Sequence, residues 1–120
     1  MDYLIGVDIG TQGTKAVLID QDGQVLSHSY SGYDVETPKQ SWAQQWPDVW
    51  EQATYTTIKN VIKKSGVEPK QIKGVGISSL YGGSGIPVNK EMEAIGPCLI
   101  WMDRRAKKEV EWVQQNINLD

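Results

Sequence analysis

The sequence of 120 residues has no phenylalanine, one histidine and one cysteine, Cys98. A single cysteine excludes an internal disulfide and a multi-cysteine zinc site, and it fits a reducing compartment. No apolar run approaches the roughly 20 residues that a membrane-spanning helix needs, and the first apolar run is too short for a signal peptide. We therefore expect a soluble, cytoplasmic protein with no membrane partner.

The chain also lacks an excess of basic residues. Its net charge is −3 and its pI is about 5.1, so nothing in the composition suggests a nucleic-acid partner. Hydrophobic residues make up 39% of the chain and charged residues 22%, which argues for a globular domain and against disorder. His28 and Cys98 belong to no motif, and we interpret them as an ordinary strand residue and a buried residue.

A polar turn between two short apolar runs opens the chain. The runs are Leu4–Ile9 and Ala16–Ile19, whose length and Val/Ile content favour half-buried strands. Between them, Gly10 and Gly13 allow another group to approach the backbone closely, and consecutive N–H groups in such a turn can form a concave anion site. The spacing alone is equally compatible with an ordinary hairpin, and it matches neither a Walker loop nor GxGxxG.

Later patterns predict further strands and two helices. An Asp-Gly pair indicates a hairpin turn before a third strand at Val25–Tyr33, and Asp34–Gln45 is predicted to be a loop. Pro47 begins a helix that ends at Gly66, and Ile72–Ser79 is a fourth strand.

After that strand, residues 86–101 are a second hairpin or a long connection. Asp103 is predicted to cap a last helix. The inward face of that helix is predicted to comprise Ala106, Val110, Val113 and Ile117. Three meandering strands, a helix and a further strand indicate an α/β domain with a mixed sheet, like the opening of a ribonuclease-H-like domain.

The stretch from Asp8 to Lys15 resembles the phosphate-binding signature of sugar kinases with the actin-like (ribonuclease-H-like) ATPase fold. More narrowly, it resembles the FGGY carbohydrate kinases, which include xylulose, ribulose and glycerol kinases. The resemblance implies that this turn faces the phosphates of ATP and that Asp8 serves Mg²⁺, a metal that a single carboxylate can hold through water. The implied cofactor-binding residues are Asp8, Gly10, Thr11, Gln12, Gly13, Thr14 and Lys15.

A second stretch, Trp42–Trp50, resembles the Trp-x-Glu-Gln-x-Pro-x-x-Trp pattern of the same family. Gln44 stands where Glu is usual, and Trp46 stands where Asp is common. One interpretation is a loop under the sugar site. We favour the other, a helix start with aromatic anchors, because Trp50 lies on the apolar side of the predicted helix.

Two more stretches resemble the family's sugar-contacting segments. In Gly76–Gly83, the side chains at 80–82 depart from the Gln-Met-His of xylulose kinases, which leaves Tyr81 and Gly82 at the acceptor position. A tight glycine turn with no ligand is the alternative there. Trp101, Asp103 and Arg105 fit Trp-x-Asp-x-Arg, where an aromatic face and a carboxylate suit a polyol. The alternative is that Asp103 caps the helix and pairs with Arg104 or Lys107, and both roles are compatible.

The resemblance implies ATP-dependent phosphorylation of a small sugar or polyol, with a pentulose such as xylulose as the first choice. We expect residues 1–120 to be the N-terminal part of the first actin-like domain, with the second domain and the general base beyond Asp120 and no activity in the 120 residues alone. The expected partners are nucleotide and sugar, with a homodimer as one expected assembly. The alternatives are a non-catalytic actin-fold regulator or degenerate kinase, and an unrelated α/β binding module.

Overall fold

The computed structural model describes residues 1–79 and 82–118. Its described residues form two compact units, which we call the sheet unit (1–35 and 46–79) and the loop unit (36–45 and 82–118). The elements in chain order are β1 Tyr3–Ile9, β2 Gly13–Asp20, β3 Val25–Gly32, β4 Gln44–Gln45, α1 Pro47–Ser65, a 3₁₀ turn at Pro69–Gln71, β5 Ile72–Ser79, β6 Cys98–Leu99 and α2 Lys107–Asn116.

The sheet unit is built on a four-stranded mixed sheet with strand order β3-β2-β1-β5. β1 and β2 pair antiparallel, as do β2 and β3, whereas β1 and β5 run parallel. A parallel neighbour requires a crossover, and α1 supplies it. The predicted meander, helix and fourth strand are therefore confirmed.

The core of the sheet unit lies between one sheet face and α1. Alternate residues of the two central strands point to this face and meet Val61 of the helix. The buried members of this core are Ile5, Val7, Ala16, Leu18 and Val61. The opposite face of β1 and β2 is left open, which matters for the site described below.

Helix α1 begins and ends where the sequence predicts. Pro47 occupies the first turn, where its missing N–H costs nothing, and Asp48 lies near the positive end of the helix dipole. At the other end, Gly66 adopts a left-handed conformation (φ 71°), and its N–H bonds to the carbonyl of Ile62.

The loop unit departs from the prediction in its first segment. Asp34–Gln45 is not entirely a loop, because its last two residues form β4, which pairs antiparallel with β6. A two-residue strand is too short to leave a period in the sequence. The predicted second hairpin is present, with Val88 opposite Ala94.

The start and burial of α2 were also predicted wrongly. Its N-cap is Ala106, not Asp103, whose carboxylate is bonded elsewhere. The predicted inward face is not covered, since α2 has no buried residue in the described chain and both Val110 and Ile117 are exposed. The apolar side chains of a helix show which of its faces favours burial, but they do not show whether another element covers that face. Neither of the described helices is long and apolar enough to cross a bilayer.

Candidate functional site

The turn between β1 and β2 is short and internally bonded. The N–H of Gly10 donates to the carbonyl of Gly13 over 3.0 Å. The flanking strands pair up to the turn, with Asp8 opposite Lys15 and Ile9 opposite Thr14. The predicted phosphate-binding residues are thus brought together in one hairpin.

Two tyrosines, Tyr30 near the end of β3 and Tyr33 just after it, bond to carbonyl groups of this turn. The hydroxyl of Tyr33 donates to the carbonyl of Gly10 over 2.6 Å, and that of Tyr30 donates to the carbonyl of Gln12 over 3.0 Å. The Tyr33 N–H also bonds to the Gln12 carbonyl, at 3.1 Å. Sequence reasoning missed both tyrosines, because two tyrosines three residues apart at a strand end match no recognised pattern.

Thr14 is one of the implied cofactor-binding residues, and its side chain is bonded within the chain. Its side chain is fully buried on the α1 face, and its hydroxyl lies 3.1 Å from that of Tyr33. Since the single proton of Tyr33 is directed at Gly10, Thr14 is the donor in this bond. Thr11 is half-buried and Gln12 is exposed.

Burial is the largest influence on the pKa of Tyr33, and it raises that pKa above 10.0. The hydrogen bond with Thr14 opposes the rise, while the nearby Tyr30 and Asp8 add to it. The phenol therefore stays protonated at neutral pH and remains a donor to the Gly10 carbonyl.

An open groove of about 590 Å³ lies on the sheet face opposite α1. Asp8, Lys15 and Ser78 occupy neighbouring positions on three adjacent strands, and such cross-strand neighbours point to the same face. Gly6 lies opposite Gly76 in the next row, so the groove floor there carries no side chain. The exposed Asp8 and Lys15 can therefore contact a ligand lying in the groove.

Asp8 supplies one carboxylate rather than a complete metal cage. Within the described ranges, no group of three or more His, Cys, Asp and Glu residues could hold a metal. Mg²⁺ in nucleotide sites is commonly held by one or two carboxylates together with phosphates and water. A single exposed carboxylate beside the turn therefore fits Mg²⁺ carried by a nucleotide.

In the loop unit, Asp103 joins two separate segments. One oxygen, Oδ2, accepts bonds from the N–H of Ala43 and the Nε of Arg105, both at 2.8 Å, and the other accepts the N–H of Arg105 at 3.0 Å. A carboxylate has about four acceptor positions, of which three are occupied. The expected pairing with Arg104 or Lys107 is wrong, since the ion pair is formed with Arg105.

The pKa of Asp103 lies below its ordinary value of 3.8. Burial is the largest single influence and acts to raise it, but the combined hydrogen bonds from Ala43 and Arg105 and the positive charge of Arg105 outweigh burial. Asp103 is therefore an ionised carboxylate that is largely committed to its own loop.

Arg105 extends the same network to Gln44 of β4 and to Trp42 before it. Its Nη2 donates to Oε1 of Gln44 over 2.9 Å, and its guanidinium lies 3.8 Å from the centre of the Trp42 ring. Lys39 lies near the same ring, at 4.6 Å. Position 44 has Gln where the resembling pattern usually has Glu. The neutral amide of Gln44 thus accepts the bond from Arg105 that a carboxylate would otherwise accept.

The remaining predicted sugar residues lie at the edge of the loop unit or outside the description. The Trp101 side chain is half exposed (52%). Gly82 has φ 85°, and a Cβ there would lie 3.4 Å from the Cβ of Trp101, so these two residues are neighbours. Tyr81 lies outside the described residues.

The N-terminal domain model of the FGGY family of carbohydrate kinases matches residues 3–120. The chain belongs to the FGGY family. The four stretches that resemble the family, beginning at Asp8, Trp42, Gly76 and Trp101, also occur along the chain in the family's order.

Curated FGGY relatives include sugar kinases with different named substrates. The chain is 28% identical to the xylulose kinase of Staphylococcus xylosus over 120 residues, covering all of this chain and 24% of that protein. It is 32% identical to the gluconokinase of Bacillus subtilis over 116 residues, covering 97% of this chain and 22% of the relative. The chain therefore spans about a quarter of the length of these relatives.

Solved FGGY kinases share the fold. A ligand-bound xylulose kinase from Lactobacillus acidophilus matches with a TM-score of 0.87 and 26% identity, over 96% of this chain and 23% of that one. The predicted actin-like ATPase fold is therefore confirmed.

Proposed function

We propose that the polypeptide containing these residues is an ATP-dependent kinase of a small sugar or polyol, with a pentulose such as xylulose as the first candidate. The observation that carries the proposal is the β1–β2 turn of an FGGY domain, with exposed Asp8 and Lys15 beside an open groove. We further propose that residues 1–120 are the N-terminal part of its first actin-like domain, since the relatives are about four times longer.

Phosphoryl transfer requires positioning and charge stabilisation more than covalent chemistry from the protein. Bound Mg·ATP would supply the phosphoryl group and the metal charge that neutralises its oxygens. Backbone N–H groups of residues 11–13 would bind the phosphates, Asp8 would hold the metal through water, and Lys15 would offset negative charge. The aromatic face of Trp101 would contact the C–H face of the sugar.

Tyr81, Gly82 and Asp103 would complete the part of the sugar site that this chain supplies. A carboxylate has about four acceptor positions, and three of those of Asp103 are occupied. One position therefore remains for a bond from a sugar hydroxyl. The sugar oxygen would bond to the γ-phosphorus as the bond to ADP breaks. Its proton would pass to a general base beyond residue 120, as the family resemblance implies.

The test is acceptor-dependent release of ADP by the whole polypeptide with Mg·ATP. The panel should contain pentuloses, hexuloses, gluconate, glycerol and tetritols, because the relatives carry names for different sugars. Turnover with one of them is expected, with xylulose tried first. No turnover with any acceptor would contradict the proposal. Sedimentation of the same sample tests the proposed homodimer, and cell fractionation tests the proposed cytoplasmic location.

A second candidate is a non-catalytic sugar- or nucleotide-binding regulator, or a degenerate kinase. It is favoured by the departure of residues 80–82 from the Gln-Met-His of xylulose kinases. Nucleotide and sugar binding without turnover would support this alternative.

A further inference from the structure

The β1–β2 turn is held from both faces of the sheet by side chains that lie outside the family motif. Tyr30 is paired with Lys15 across the strands and therefore lies on the groove face. The hydroxyl of Tyr33 meets the buried side chain of Thr14, which lies on the α1 face. Each tyrosine donates its only hydroxyl proton to a carbonyl of the turn.

Fixing these carbonyls also fixes the donors that an anion would meet. A trans peptide is planar and holds its C=O and N–H groups in opposite directions. The bond from Tyr33 to the Gly10 carbonyl therefore sets the direction of the Thr11 N–H. In the same way, the bonds from Tyr30 and from the Tyr33 N–H to the Gln12 carbonyl set the direction of the Gly13 N–H.

The ring of Tyr30 is pressed against the backbone of the turn. A Cβ added at Gly13 would lie 2.4 Å from Cε2 of this ring, so the exposed ring of Tyr30 would have to move to admit any larger residue. Glycine at position 13 therefore allows a contact within the chain, in addition to any approach by a ligand. The family motif and the two tyrosines thus form one packed unit.

We propose that Tyr33 and Tyr30 are positioning residues that aim the peptide N–H groups of the turn at the phosphates of a nucleotide. This inference rests on the proposed function. Neither tyrosine touches the reacting atoms, and both act through the backbone of residues 10–13. The phenol of Tyr33 stays protonated at neutral pH, so its bond to Gly10 persists under working conditions.

The test compares Tyr33→Phe and Tyr30→Phe with the parent in the whole polypeptide. Calorimetric binding of Mg·AMP-PNP is measured together with the KM values for ATP and sugar. Tyr33→Phe keeps the ring and removes one hydrogen bond, so we expect about tenfold weaker nucleotide binding and about a tenfold higher KM for ATP. The KM for sugar should stay within twofold. Tyr30→Phe should have a smaller effect in the same direction, because its ring is more exposed.

Tyr55→Phe is the matched control. Its hydroxyl donates to Glu51 on the exposed side of α1, at 3.2 Å, and it should change none of these values. Thr14→Val removes the hydroxyl that meets Tyr33 and should weaken nucleotide binding.

The outcomes separate this inference from the proposed function. Parent protein that binds nucleotide but phosphorylates no sugar overturns the proposed kinase activity, and the binding comparison still decides the role of the tyrosines. Unchanged nucleotide binding in Tyr33→Phe overturns the positioning role. The role is also overturned if the KM values for ATP and sugar rise equally and the melting temperature falls. If Tyr33→Phe does not fold, Tyr30→Phe decides the question. Parent protein that binds no nucleotide overturns both.

Discussion

In the sheet unit, the charged side chains of the Asp8–Lys15 motif are exposed, and the turn between them is held by tyrosines that the motif does not include. In the loop unit, the charged side chains of Asp103 and Arg105 in the Trp101–Arg105 motif are bonded to one another and to residues 43 and 44. Both stretches match family patterns, yet their polar groups are used in opposite ways.

This difference separates two reasons for a residue to belong to a motif. An exposed carboxylate such as Asp8 has acceptor capacity for a ligand. A largely buried one such as Asp103, whose side chain is 8% exposed, has its capacity used by its own loop. Membership of a motif therefore does not by itself show that a side chain meets the substrate.

Asp8→Asn should have the largest effect of these substitutions. It should lower kcat without lowering the stability of the fold. Removing the charge proposed to hold Mg²⁺ weakens transition-state stabilisation by several kcal/mol, so we expect kcat to fall about 100-fold or more. The melting temperature should not fall, because Asp8 is exposed. Steady-state kinetics of the whole polypeptide measure the loss.

The matched control for Asp8→Asn is Asp2→Asn. Asp2 precedes the far end of β1 and forms only a long, exposed ion pair with Lys73, at 3.8 Å, so its removal should leave kcat unchanged. An Asp8→Asn variant with the kcat of the parent would remove Asp8 from the proposed site.

Asp103→Asn should weaken the loop unit by about 2 kcal/mol, because a largely buried acceptor of three bonds loses its charge. The N–H of Ala43 should then exchange with solvent about 30 times faster. Hydrogen exchange of Ala43 and Arg105 measures this local opening. The control Glu111→Gln removes an exposed ion pair to Lys107, at 3.9 Å, and should change little. Unchanged exchange at Ala43 would show that Asp103 does not hold the loop.

Gly13→Ala should destabilise the sheet unit by about 1 kcal/mol, because the new methyl group displaces the ring of Tyr30. The melting temperature should fall by a few degrees. Gly76→Ala serves as the control for stability, since a Cβ there meets no atom within 4 Å. Equal melting temperatures for the two variants would show that Tyr30 does not pack on the turn as described.

The smallest expected effect is a dependence of the loop unit on acid. The pKa of Asp103 is lower in the folded protein than its ordinary 3.8, so its contribution is fully present at neutral pH. That contribution is lost as the pH falls from about 3.8 through the lower folded value. The protection of the Ala43 N–H, which is how much more slowly it exchanges than an unfolded peptide at the same pH, should therefore fall in this range in the parent and change less in Asp103→Asn. Equal acid sensitivity of both proteins would assign the effect to other carboxylates.

The parts of the structure that were predictable are those with a repeating pattern. The strands of the sheet and the limits of α1 follow from apolar periodicity and from the positions of Pro47 and Gly66. β4 and the network around Asp103 were not predictable, because they join segments about 60 residues apart through bonds that leave no local period. Tyr33 was missed for the same reason, since it lies 19 residues from Thr14.

The central claim is that the turn after β1 receives the phosphates of a nucleotide while the 100–105 turn is an internally bonded support. Hydrogen–deuterium exchange of the whole polypeptide with and without Mg·ADP tests it most directly. We expect nucleotide to slow exchange in peptides covering residues 9–14 and to leave those covering 41–45 and 100–105 unchanged. Nucleotide binding that leaves exchange at residues 9–14 unaltered would contradict it.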